Sequence, residues 1–86
     1  MNRKELDEIA LERRLKIVTL DGLDNAIVGL TFSGVQGCHV VYSKKKCISE
    51  IKKFGMSKDE AVDFFLNNTV GILQNCGKNN PIIIET

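Results

Sequence analysis

The first apolar residues of the chain recur with the spacing of one helical face. That face carries Leu6, Ile9, Ala10 and Ile17. The residues between them are good helix formers, so the pattern predicts a helix over residues 2–14. Asn2 suits the capping position of this helix, and Glu5 follows at capping-box spacing.

Residues 15–20 alternate between polar and apolar side chains and include β-branched residues. They fit a short strand, and they fit equally a last helical turn followed by extended chain. Residues 21–25 have the composition of a turn. The chain of 86 residues is predicted to be one domain, with a helical arm over 1–19 and a core over 20–86.

Two segments that alternate with a period of two predict a β-hairpin. Residues 26–32 place Ala26, Val28, Leu30 and Phe32 on one face, and residues 38–43 place Cys38, Val40 and Tyr42 on one face. A glycine-bracketed loop over 33–37 joins them, and Gly29 within the first strand is typical of a bulge or of a close neighbouring backbone. Both faces are partly apolar, so we expect helices to cover at least one.

Two consecutive helices are predicted after the hairpin. Ser43 caps the first, over residues 44–53, and Gly55 suits the left-handed residue that follows its end. The apolar stripe of this helix consists of Cys47, Ile48, Ile51 and Phe54. Ser57 begins the second helix, with Glu60 at capping-box spacing. The second stripe consists of Ala61, Phe64, Phe65, Asn68 and Ile72, in a helix that ends near residues 67–69 or runs on to 73.

A short apolar segment closes the chain. It consists of Pro81, Ile82, Ile83 and Ile84, and a proline at the first residue suits a strand start or an edge. Exposed isoleucines on a free edge favour aggregation, so we expect this strand to lie inside the sheet or to pair with another subunit. The predicted fold class is α+β: an N-terminal helix, a β-hairpin, two helices and a C-terminal strand joining a small antiparallel sheet, with a β-β-α-α-β core.

The charge of the chain is nearly balanced, with twelve basic and eleven acidic residues and a net charge of +1. This balance gives no overall case for binding nucleic acid or a membrane surface. The basic residues nevertheless cluster at Lys44, Lys45, Lys46, Lys52 and Lys53. Together with the nearby Tyr42, they are candidates for binding a partner or an anion. Three of these lysines lie in the first helical turn, where the helix dipole disfavours cations.

The three cysteines, Cys38, Cys47 and Cys76, lack the spacing of a metal site. They are predicted to be reduced thiols, mostly buried, in a reducing compartment. The charged N-terminal residues do not resemble a signal peptide, and no apolar segment is long enough to span a membrane. We therefore expect a cytoplasmic protein without a membrane partner.

The single histidine, His39, falls in the middle of a predicted strand, where an imidazole is usually satisfied or solvent-facing. Its neighbour Cys38 points to the opposite face, so the pattern does not favour a nucleophilic Cys–His pair. The chain is predicted not to be an enzyme and to hold no cofactor or metal. Asn67 and Asn68 are candidates for amide hydrogen bonds to a small ligand, although helix termination also explains them.

Several segments in a fixed order resemble a group of small uncharacterised phage and prophage proteins. They are LDGLDNAIVG from residue 20, VYS from residue 41, KCI from residue 46, GMSKDEA from residue 55, and Phe64, Phe65, Asn68, Gly71 and Pro81-Ile82. The likeness covers roughly residues 20–83, and Asn80 stands where the group has a threonine. The resemblance implies a setting, the cytoplasm of a bacterial host, rather than a chemistry.

These observations favour a non-enzymatic accessory protein that binds a host protein, as an inhibitor or adaptor and in one form as an inhibitor of host defence. A sheet-edge contact through residues 81–84 is one means of binding. A first alternative is an oligomer, such as a homodimer, that sequesters a nucleotide-like molecule with the lysines as anion partners. A second alternative is weak nucleic-acid binding through the lysine cluster, which has no arginine and no aromatic platform.

Overall fold

The computed structural model describes residues 1–33, 37–69 and 79–86. Its elements are helix α1 (Arg3–Arg13), strand β1 (Ile27–Ser33), strand β2 (Gly37–Ser43), helix α2 (Lys44–Lys52), helix α3 (Lys58–Phe64) and strand β3 (Ile82–Ile84). A 3₁₀ turn over Asp24–Ala26 precedes β1, and a π-helical turn over Phe65–Thr69 continues α3. The α+β class and the order of the elements are confirmed. Residues 34–36 of the predicted loop, Ile72 and Cys76 lie outside the described residues.

The three strands form a mixed sheet in the order β1-β2-β3. The hairpin of β1 and β2 is antiparallel, whereas β3 runs parallel to β2 with Ile82 opposite Val41. The prediction of an antiparallel sheet is therefore wrong for the last strand. The chain passes through α2 and α3 between β2 and β3, and such a crossover returns it in its original direction.

The alternation predicted for β2 is confirmed. Cys38, Val40 and Tyr42 are buried, while His39 and Val41 are only partly covered. In β1 the register shifts between Ile27 and Gly29, which is the bulge that the glycine predicted. The strand also begins one residue later than expected, because Ala26 closes the 3₁₀ turn.

Helix α1 begins at its predicted cap, where Asn2 Oδ1 accepts a hydrogen bond of 2.8 Å from the Glu5 amide. It ends at Arg14, whose φ of 55° is left-handed. Residues 15–20 then form neither of the predicted elements, since they adopt neither helix nor strand. Leu20 is nevertheless fixed, because its side chain is buried and its amide donates to the Tyr42 hydroxyl at 2.9 Å.

The turn between α2 and α3 follows the predicted cap chemistry. Gly55 has a φ of 94°, and Ser57 and Glu60 form a reciprocal capping box with two bonds of 3.2 Å. The predicted apolar stripes need three corrections, since Phe54, Phe64 and Asn68 are all exposed. Phe54 is 70% exposed, because α2 ends before it, and Phe64 is 41% exposed, whereas Phe65 is 2% exposed. Burial along the second helix instead follows steps of four residues, through Ala61, Phe65 and Thr69.

One buried cluster joins the helices to the sheet. Its members are Leu6, Leu20, Leu23, Ala26, Ile27, Val40, Tyr42, Cys47, Ile51, Ala61 and Phe65. Leu6 belongs to α1, so the N-terminal helix packs into the same core as the α+β part. The exposed face of α2 and the outer edge of β3 lie outside this cluster.

Candidate functional site

The lysines of α2 occupy the side of the helix that faces solvent. Ser49 lies four residues from Lys45 and Lys53 and three residues from Lys46 and Lys52, so helical spacing places all four around it. All five residues are exposed. We call Lys45, Lys46, Ser49, Lys52 and Lys53 the α2 lysine face. It spans about 12 Å along the helix at a rise of ~1.5 Å per residue.

Acidic residues at the border of this face pair with two lysines of the predicted cluster. Lys44 Nζ lies 3.5 Å from Glu85 Oε2, and Lys53 Nζ lies 3.1 Å from Glu50 Oε1. Lys45, Lys46 and Lys52 form no ion pair with the residues that the structure describes. These three side chains therefore contribute most of the unbalanced charge of the face.

The first turn of α2 is held by the chain that follows β3. The main-chain oxygen of Thr86 accepts a hydrogen bond of 3.0 Å from the Lys45 amide and another from the Ser43 hydroxyl. Ser43 Oγ in turn accepts from the Lys46 amide at 3.2 Å, as expected of a helix cap. These contacts place the start of the α2 lysine face beside the end of β3.

Tyr42 does not belong to this surface, contrary to its choice as a binding candidate. Its side chain is fully buried, because the alternation of β2 directs it with Val40 toward the helices. Burial raises the pKa of Tyr42, even though the hydroxyl oxygen accepts a hydrogen bond from the Leu20 amide. The tyrosine is a core residue that fixes the segment before the 3₁₀ turn.

The closing strand β3 lies at an edge of the sheet, where the described residues pair it with β2 alone. Of the two expected arrangements, the described residues do not show an interior strand, and pairing with another subunit stays a prediction. Ile82 and Ile84 are 38% and 37% exposed, whereas Ile83 packs against the core and Pro81 is buried. Two of the four predicted edge residues, Ile82 and Ile84, thus present apolar surface to solvent.

A groove separates the turn before β1 from the end of α3. Its volume is about 270 Å³, and it is lined by Thr19, Leu20, Asp21, Leu23, Phe64, Asn68 and Thr69. Asn68 donates through Nδ2 to the Phe64 carbonyl at 3.2 Å, which leaves its Oδ1 as an acceptor. Asn67 is exposed and does not line the groove. Asp21 is the charged residue of the lining. It was not chosen as a candidate from the sequence, because a place in the predicted turn over residues 21–25 was sufficient to explain an aspartate there.

His39 is held from both ring nitrogens. Nδ1 lies 2.7 Å from the main-chain oxygen of Asn80, and Nε2 lies 2.6 Å from Ser33 Oγ. A carbonyl only accepts, so Nδ1 carries the proton in the neutral ring and Nε2 accepts from the serine hydroxyl. The Cys38 amide also donates to Asn79 Oδ1 at 3.2 Å, so both contacts tie residues 79 and 80 to β2. His39 is therefore a structural residue with both ring nitrogens hydrogen-bonded, as its position in the middle of a strand predicted.

The described cysteines, Cys38 and Cys47, are buried free thiols. Burial raises the pKa of Cys38, and burial together with the nearby Glu50 carboxylate raises the pKa of Cys47 to about 11. A thiol with such a pKa is not a thiolate at neutral pH, and the thiolate is the reactive form. The prediction of buried thiols is confirmed for these two residues.

Comparison with family models, with curated proteins and with solved structures gives no match to this chain. Within the described ranges, no helix is long and apolar enough to cross a membrane. The same residues contain no group of three or more acidic, histidine or cysteine side chains placed to hold a metal ion.

Proposed function

We propose that this protein is a non-enzymatic binding protein that docks on another protein. The observation that carries the proposal is the edge strand β3, which exposes Ile82 and Ile84 at the side of the sheet. An extended segment of a partner can add to such an edge through main-chain hydrogen bonds, while the two isoleucines give apolar contact.

The resemblance to phage and prophage proteins supports a host protein as the partner. In that setting the protein acts in the bacterial cytoplasm as an inhibitor or adaptor, and inhibition of a host defence protein is one form of this role. A binding role is supported over an enzymatic one by the chemistry of Cys38, Cys47 and His39. Both thiols have raised pKa values, and both ring nitrogens of His39 are hydrogen-bonded.

Affinity capture from host lysate with a matched pair of variants tests this proposal. Ile84→Lys places a charge on the exposed edge, whereas Leu11→Lys makes the same type of change at a site on α1 that is 83% exposed. We expect the wild type and Leu11→Lys to retain the same host protein in comparable molar amounts, and Ile84→Lys to lose it. Circular dichroism verifies that each variant is folded. Equal retention by all three proteins, or no retained protein at all, contradicts the proposal.

Self-association through β3 is the competing use of the same edge. Sedimentation velocity at several concentrations distinguishes it, because a homodimer dissociates on dilution and a protein with a foreign partner stays monomeric. A wild-type dimer that becomes a monomer in Ile84→Lys assigns the edge to a second copy of the chain rather than to a host protein.

A second candidate function, binding of a small ligand, is favoured by the groove at Asn68. Its lining combines apolar side chains with a few polar ones, which is the usual make-up of a ligand site. Asp21 gives the groove an acidic rather than a basic character, so a ligand with hydrogen-bond donors fits it better than a phosphate. Thermal-shift screening of nucleosides against nucleotides tests this, because a ligand that binds the folded state raises Tm. We expect Asn68→Ala to abolish the shift and Asn67→Ala to preserve it.

A further inference from the structure

We infer that the α2 lysine face recognises an acidic surface on the protein partner, formed by several carboxylates spaced along about two helical turns. This inference rests on the proposed function, since it names the chemistry of the partner that docks beside β3. The observations behind it are the arrangement of charge on α2, the cost of that arrangement to the helix, and its continuity with the edge strand.

The charge arrangement is one-sided. Lys45, Lys46, Lys52 and Lys53 surround Ser49, and the acidic residue of this helix, Glu50, lies at the border, where it pairs with Lys53. The opposite side of the helix carries Cys47 and Ile51, which are buried in the core. A partner therefore meets four ammonium groups around a small polar side chain on one solvent-facing surface.

This arrangement is unfavourable for the isolated helix. Cations in the first turn of a helix oppose its dipole. The Glu85 carboxylate offsets that cost at Lys44, but no described acidic side chain pairs with Lys45 or Lys46. Residues that break a local rule without compensation inside the fold are candidates for function.

The end of β3 adjoins the start of this face. Lys44 pairs with Glu85, and the Lys45 amide donates to the main-chain oxygen of Thr86. The residues that follow β3 therefore lie beside the first turn of α2, next to Lys45 and Lys46. Apolar contact at Ile82 and Ile84 and charge contact at α2 then act together.

Carboxylates suit this face better than nucleic-acid phosphates. Arginine, which grips phosphates in a bidentate manner, is absent from the α2 lysine face, and Tyr42 is buried. The net charge of the whole chain is only +1, so long-range attraction to DNA is small.

A pair of charge-matched triple variants tests the inference. The face variant replaces three exposed lysines of the α2 lysine face by glutamine: Lys45, Lys46 and Lys52. The control variant replaces three exposed lysines elsewhere by glutamine: Lys4, Lys16 and Lys58. Both variants change the net charge from +1 to −2. Their affinities for fluorescent poly-L-glutamate and for a short DNA duplex are measured by anisotropy at matched ionic strength. We expect the face variant to lose about tenfold in affinity for poly-L-glutamate and the control to lose about twofold or less.

Ser49→Glu tests the same face with all lysines retained. A glutamate at this position pairs with Lys53 at favourable i, i+4 spacing and occupies the centre of the face. We expect poly-L-glutamate to bind Ser49→Glu about tenfold more weakly than the wild type, with helix content unchanged, and Ser49→Ala to bind normally.

Three results overturn the inference. They are equal losses in the two triple variants, absence of poly-L-glutamate binding by the wild type, and tighter binding of the DNA duplex than of poly-L-glutamate. Capture from host lysate distinguishes failure of the inference about the lysines from failure of the proposed binding function. A host protein that is lost by Ile84→Lys but retained by the face variant leaves the proposed function intact and removes the lysines from it.

Discussion

The Nδ1 atom of His39 lies 2.7 Å from the main-chain oxygen of Asn80, across the junction where the last strand enters the sheet. This contact joins the middle of β2 to the residue just before Pro81. The same ring accepts a hydrogen bond from Ser33 at the end of β1. One side chain thereby links β1, β2 and the chain that leads into β3, and it helps to set the parallel register of Ile82 with Val41.

Replacing His39 should loosen β3 more than the rest of the sheet. His39→Phe keeps a ring of similar size and a high strand propensity but removes both hydrogen bonds, at an expected cost of ~1–2 kcal/mol in the free energy of unfolding. His39→Asn keeps a donor near the position of Nδ1 and should recover part of that cost. Hydrogen exchange at Ile82–Ile84 checks the prediction, which requires faster exchange in His39→Phe. Unchanged protection of β3 would show that the histidine does not hold the strand.

Two glycines of the hairpin should respond in opposite ways to alanine. A Cβ at Gly37 would overlap both the main-chain oxygen and Oγ of Ser33, whereas a Cβ at Gly29 would have no atom within 4 Å. Gly37→Ala should therefore destabilise the protein by ~1–3 kcal/mol, since main-chain atoms must move. Gly29→Ala should be neutral or stabilise by ~0.5–1 kcal/mol, through the entropy of the unfolded chain. Denaturation by urea gives both values, and similar values for the two variants would contradict the prediction.

Local signals in the sequence predicted most of the fold because each rests on short-range chemistry. Asn2, Ser43 and Ser57 cap the three helices, and Gly55 adopts the left-handed conformation that its position requires. The direction of β3 was not predictable in this way. Parallel pairing with β2 depends on the path of the chain through α2 and α3, and it leaves no mark in the isoleucines themselves.

The candidate site shows the same division between local and long-range information. The lysines were visible in the sequence, and helical spacing alone places Lys45, Lys46, Lys52 and Lys53 around Ser49. The sequence did not show that Lys44 and Tyr42 lie apart from these four lysines. Lys44 pairs with Glu85, which is distant in the sequence, and Tyr42 lies on the face of β2 that packs against the core. Asp21 became a candidate only when the fold brought it to the same groove as Asn68.

The adjacent phenylalanines Phe64 and Phe65 should differ sharply in their contribution to stability. Phe65 is 2% exposed and belongs to the core, whereas Phe64 is 41% exposed and lines the groove. Phe65→Ala should cost ~3–5 kcal/mol, which approaches the whole stability of a domain of this size. Phe64→Ala should cost ~1 kcal/mol or less. Phe65→Leu provides a folded intermediate case for measurement, and a larger effect at Phe64 than at Phe65 would show that the helix is rotated from its described orientation.

The capping box at the start of α3 offers a further matched pair. Ser57 Oγ accepts from the Glu60 amide, and the Glu60 carboxylate accepts from the Ser57 amide, both at 3.2 Å. Ser57→Ala should therefore lower the free energy of unfolding by about 1 kcal/mol. Ser49→Ala makes the same chemical change at an exposed position inside α2 and should alter stability by less than about 0.5 kcal/mol. Equal effects at the two serines in thermal denaturation would contradict a capping role for Ser57.

Cys47 should make the stability of the protein depend on pH in the alkaline range. Burial raises the pKa of Cys47 from 9.0 to about 11, so the folded state holds the thiol proton more tightly than the unfolded state does. The stabilisation from this group is therefore complete below pH 9.0 and is lost as the pH rises toward about 11. Cys47→Ala removes this contribution and leaves the Cys38 thiol in place. The free energy of unfolding of the wild type should fall relative to that of Cys47→Ala by about 2 kcal/mol across this interval. A difference between the two proteins that stays constant from pH 8 to about 11 would show that the Cys47 thiol ionises equally in both states.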